Sequence, residues 1–159
     1  MRRRAVYFAA LLISLLGSGP LSARAEVIIS ELMYNPDGTD LDTSVTPNIY
    51  REWAEIYNTG NTAVNIGGWQ FGDAADNQWA TAFPANTMLQ PSQALVVTGN
   101  ASQFDIGWGT GINRIQVGSF PSLANSPSSN NERPSIRNGS GQIIDAVTYN
   151  ENFAAPVDP

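Results

Sequence analysis

Beyond residue 25 the apolar residues come in short runs, and turn residues close almost every one of them. VIISELMY (27–34) ends at Asn35-Pro36-Asp37-Gly38, and REWAEIYN (51–58) ends at Thr59-Gly60-Asn61. AVNIGGWQFGD (63–73) holds two short strands about Gly67-Gly68, and QWATAFP (78–84) and ALVVTG (94–99) follow around a Pro91 turn. RPSIRNGSGQIIDAVTY (133–149) reads as a hairpin turning at Asn138-Gly139. Helical periodicity is scarce, so the fold class is all-β, a sandwich or barrel. Asn100 is a good N-cap, and ASQFDI after it predicts a single helical turn. Residues 35–50 read as a long acidic loop, and the Ser/Asn/Pro-rich stretch 119–132 as a mobile one. Pro134 assigns its strand to a sheet edge, or starts the strand only after that residue.

The first 25 residues have the layout of an export signal. Arg2, Arg3 and Arg4 precede an apolar stretch from Ala5 to Leu16, and Ala23-Arg24-Ala25 supplies small residues for cleavage after Ala25. The apolar stretch is shorter than the ~20 residues of a spanning helix, and the A-x-A site argues against an uncleaved anchor. A signal peptide over 1–25, a domain over 26–159 and a secreted or cell-surface location are therefore expected.

Cleavage would leave four arginines against fourteen acidic residues, a net charge of −10, with no lysine and no histidine. Such a chain lacks the basic footprint that phosphate backbones and anionic membranes require, and favours cations as partners. There is no cysteine, so stability rests on packing or bound ions, and the 134 residues from Glu26 suffice for one core. With neither Cys nor His, and no G-x-S-x-G, no nucleophile–base pair is evident.

Two glutamates interrupt the second run. In a strand, Trp53, Glu55 and Tyr57 face one way and Glu52, Ala54 and Ile56 the other. Glu52 and Glu55 thus cannot flank one scissile bond as a glycosidase pair does. A structural carboxylate at a sheet edge, paired with an arginine or accepting loop amides, is the preferred reading.

VIISELMYNP, EWAEIYNTGNTAVNIGGWQFGD, FPANTMLQPSQALVVTGN and GSGQIIDAVTY, in that order, resemble the lamin tail domain, in the type found in exported bacterial proteins. The blocks fall on Ile29 to Pro36, Glu52 to Asn58, Ile66 to Phe71, Pro91 to Val97 and Gly141 to Tyr149, with Ala54 where a larger aliphatic residue is usual. The resemblance implies an immunoglobulin-like β-sandwich, no catalytic residue, no cofactor, and a binding or surface-assembly role towards a protein or cell-surface partner. An accessory domain of a larger secreted hydrolase or spore-coat kinase-like protein is one alternative, and a carbohydrate-binding module is another. The polar NENFAAPVDP after Tyr149 replaces the further apolar segment expected there, which predicts a chain continuing past Pro159 or a partner strand added at the edge.

Asp37, Asp40 and Asp42 place three hard oxygen donors in one loop and form the leading Ca²⁺ candidate. The order departs from the EF-hand pattern, and a solvated acidic loop is the plainer account. Asp73 and Asp76 in GDAADN are a weaker version of the same signal. Trp69 is expected to be the core tryptophan whose truncation is most damaging, whereas Trp79 and Trp108 beside loops are candidates for ligand stacking. Two glycosylation-type tripeptides start at Asn100 and Asn138.

Overall fold

The computed structural model describes residues 26–34, 41–42, 49–50, 52–123 and 132–149, with backbone alone for 41, 42, 49 and 50. The signal-peptide expectation and the segment after Tyr149 lie outside the described residues.

Two four-stranded sheets carry the fold. The first contains β1 (Val27–Met33), β4 (Trp53–Asn58), β9 (Ala94–Thr98) and β10 (Arg114–Gln116), in the order β1-β4-β9-β10. The second contains β6 (Gln70–Asp73), β7 (Gln78–Trp79), β11 (Pro134–Arg137) and β12 (Ile143–Ala146), in the order β12-β11-β6-β7. Two small ribbons flank them: β2 (Leu41–Asp42) with β3 (Ile49–Tyr50), and β5 (Val64–Asn65) with β8 (Met88–Leu89).

Strand alternation decides what each sheet buries. Ala54 and Ile56 of β4, Leu95 and Val97 of β9, and Val27 and Ile29 of β1 enter one core from the first sheet. Phe71, Ile136 and Ala146 are buried from the second sheet, the first two in that same core. This is a face-to-face sandwich. A β-bulge between Ile29 and Glu31 shifts the parity of β1, so Val27 and Ile29 face inward before it and Leu32 packs inward after it. The Ile29 N–H, at that bulge, donates to Asp145 Oδ2 across the sheets at 2.7 Å. The two edge strands, β1 and β12, are thereby tied together.

The outer face of the first sheet is also covered. The helix α1 (Ala101–Trp108) leaves β9 and returns the chain to β10, which pairs parallel to β9. Asn100 caps it, its side chain accepting from Gln103 N at 3.1 Å. The helix is two turns long rather than one, because Phe104 packs on Trp53 and Val96 in a second apolar cluster. Ion pairing of Arg114 with Asp105 fixes the helix to β10.

Two expectations are corrected. β11 starts at Pro134 but lies between β12 and β6, so it is not an edge. Pro134 takes the first position, where a missing N–H is tolerated and its carbonyl accepts from Val147 N. The start of the 119–132 stretch is anchored, not mobile: Phe120 stacks on Phe71 at 5.4 Å and Leu123 is fully buried. Residues 124–131 lie outside the described residues.

Candidate functional site

At one end of the second sheet the register of β11 against β6 assembles carboxylates. Pro134 pairs with Asp73, and the Arg133 carbonyl accepts from Ala74 N at 3.0 Å. Glu132, just before β11, bridges to Tyr149 through reciprocal backbone hydrogen bonds of 3.3 and 3.2 Å. Asp76 sits in the β6–β7 turn. Asp73, Asp76 and Glu132 each bring one carboxylate oxygen to within 4.8 Å of the others. Asp73 is 1% exposed and Glu132 4%, whereas Asp76 is open to solvent. Asp73 Oδ1 accepts from Ala75 N at 2.8 Å and Arg133 N at 3.2 Å, while Oδ2 is buried and accepts no hydrogen bond.

Tyr149 registers this field. Burial pushes its phenol far above the ordinary value of about 10, and the charges of Glu132, Glu52 and Asp73 push it further in the same direction. The ring also lies against Tyr34, with centroids 4.1 Å apart. A raised folded pKa means that stability is present in full below about pH 10 and falls as pH rises beyond it. Tyr149→Phe should therefore flatten the alkaline limb of the stability curve. Urea midpoints measured from about pH 8 to pH 11 test this, and parallel curves for the two proteins would remove Tyr149 from the transition.

The Glu52 and Glu55 question resolves on the faces of β4. Glu52 is buried and its Oε1 accepts from Leu123 N at 3.1 Å, the loop-amide role expected of it. The strand it leads into is interior, not an edge, because β1 and β9 flank β4. Glu55 lies on the other face and accepts from Ser30 Oγ at 2.8 Å.

A second feature lies over the first sheet. Trp108, at the end of α1, is 39% exposed, with Ile106 at 52% and Ile112 at 37%. Trp108 is held from beneath: it stacks on Phe104 at 6.3 Å and meets Trp53 edge-on at 5.5 Å. Trp108 thus presents an exposed aromatic ring of fixed orientation, with Ile106 and Ile112 exposed close to it in the chain.

The other predicted residues fall elsewhere. Asp37 and Asp40 lie outside the described residues, and of Asp42 the backbone alone is placed, paired with Ile49. Trp79 is half-buried, its ring over Gly72 and 3.8 Å beneath the Arg137 guanidinium, so its face is already occupied. Trp69 is half-buried against the core, and Trp53, at 6% exposure, is the most buried tryptophan. Asn138 braces the β11–β12 turn by accepting from Ser140 N and Gln142 N, each at 3.0 Å. Sequence reasoning missed Glu132, because only the pairing of β11 with β6 brings it to Asp73.

Among the described residues no helix is long and apolar enough to cross a membrane. No curated protein matches the chain. A family model described as Lamin Tail Domain matches residues 20–151. Its immunoglobulin-like fold agrees with the two facing sheets found here.

Proposed function

Because the chain belongs to the lamin tail domain family, we propose that it is a non-catalytic binding or surface-assembly module whose protein partner docks over the end of α1. The observation that carries this reading is the exposed ring of Trp108, held by Trp53 and Phe104, with Ile106 and Ile112 also exposed within a few residues of it in the chain. Aromatic anchors already fixed in orientation lose little entropy on binding, which is what makes them effective at interface centres. The acidic surface disfavours nucleic acid, and the leader-like residues 1–25 support export with cleavage after Ala25.

A Trp108→Ala, Ile112→Ser variant tests the docking surface, since these side chains are exposed and the fold should survive. Native and variant proteins immobilised side by side should differ in the surface proteins of the producing cell that they retain, with the native chain alone retaining a specific one. Equal retention by both would remove this surface from the role. Binding to a glycan array that is lost in the variant would instead support the carbohydrate reading. Amino-terminal sequencing of protein recovered from the medium tests export, and a start at Glu26 is expected.

A further inference from the structure

We infer that Asp73, Asp76 and Glu132 form a Ca²⁺-type divalent cation site at the junction of the β6–β7 turn and the start of β11. The chemistry of the donors sets the class of ligand. All three are hard anionic oxygens, with no sulfur or nitrogen donor among them, which suits calcium-like ions rather than zinc or copper. Their spacing fits one ion. Ligands at 2.3–2.6 Å on opposite sides of Ca²⁺ lie roughly 5 Å apart, and the three oxygens are within 4.8 Å of one another.

The buried aspartate is what raises this above a chance cluster of acids. Asp73 is 1% exposed, its Oδ1 is engaged by two backbone amides, and its Oδ2 is sealed from solvent with no hydrogen bond. An ionised oxygen so placed carries a large desolvation cost that one cation would offset. Glu132 adds a second carboxylate that is almost wholly buried. Asp76, exposed in the turn, gives the ion a path from water and a flexible third ligand. Flexible coordination suits Ca²⁺ better than Mg²⁺, which demands near-ideal octahedral geometry. The site would close the β6–β7 turn onto β11, so occupancy would stabilise the second sheet. Its residues are distinct from Asp37, Asp40 and Asp42 and from the exposed residues of the α1 surface.

Chelator-treated protein titrated with CaCl₂ by calorimetry tests the assignment, with thermal melts in parallel. One saturable site is expected, together with a rise in Tm of roughly 10 °C when Ca²⁺ is about 100 times Kd. Asp76→Asn should weaken binding by at least about tenfold and cut the rise in Tm at the same Ca²⁺ concentration to about half or less, because ligand charge count governs affinity. Glu132→Gln should do the same, but Asp76 is exposed and its variant keeps the test valid if the buried substitution fails to fold. An Asp40→Ala, Asp42→Ala double variant should bind as the native chain does. The absence of saturable binding, or binding that persists in Asp76→Asn at native strength, would overturn the site. Loss of binding in the Asp40, Asp42 double variant with retention in Asp76→Asn would move it to the 37–44 loop.

Discussion

Asn58→Ala is expected to lower the stability of the domain by about 3–5 kcal/mol, counting about 1–3 for an orphaned buried acceptor and about 1 for each other lost hydrogen bond. Asn58 closes β4 and has no exposed surface. Its Nδ2 donates to the Leu89 carbonyl at 3.0 Å and the Thr62 carbonyl at 2.8 Å, and its Oδ1 accepts from Gly60 N at 2.9 Å. Its backbone completes the junction, donating to the Gln93 carbonyl and accepting from Ser92 N. The amide side chain therefore ties the turn after β4 to the strand β8, and the backbone adds the turn that leads into β9. Truncation would strand the Leu89 carbonyl in the interior, where water does not reach it. Against a total stability of roughly 5–15 kcal/mol, a loss of this size places the domain near its limit. Urea unfolding should show a lower midpoint with an unchanged slope. A change under about 1 kcal/mol would mean that water enters and replaces the amide.

The same residue shows what a linear sequence conceals. Asn58 reads as the last residue of its strand, next to the Thr59-Gly60-Asn61 turn that it braces, but its contact with Leu89 depends on a strand of two residues that no alternation announces. The longer strands were legible in two ways: Trp53–Asn58 alternates between a buried and a less buried face, and Ala94–Thr98 is a continuous apolar run bounded by turn residues and buried on both faces. β10 was not legible: RIQ is short and polar, and it becomes a strand only because α1 returns the chain beside β9. The acidic end was half legible. Asp73 and Asp76 share one turn, but Glu132 joins them through the pairing of β11 with β6, a long-range event. Phe120 and Leu123 went unrecognised in a segment whose Ser, Asn and Pro content hides two buried anchors.

Truncation of Trp53 should exceed that of any other tryptophan, at roughly 3–5 kcal/mol for Trp53→Ala. Trp69 was the expected core tryptophan, because it falls at the Gly-Trp position of the block from Ile66 to Phe71 that resembles the lamin tail domain. The structure places it half-buried at the margin of the inner core, whereas Trp53 is 6% exposed between the first sheet and α1. The reason lies in the helix. Outward positions of a sheet are ordinarily wet, but α1 covers this one, and Phe104 meets the Trp53 ring edge-on at 6.1 Å. Loss of Trp53 would leave a cavity under the helix and release the edge contact that orients Trp108. Its indole N–H is buried and finds no acceptor among the described residues. Trp53→Phe removes that unsatisfied donor while retaining an aromatic ring, so it should recover most of the stability lost in Trp53→Ala. Trp69→Ala should cost about half as much as Trp53→Ala, in keeping with partial burial. Thermal and urea unfolding of the three variants decide the ranking. A larger loss for Trp69→Ala would show that the inner core, and not the helix-covered face, dominates the energetics of the first sheet. A Trp53→Phe variant that keeps its stability but weakens capture of the partner would link the buried ring to the posture of Trp108.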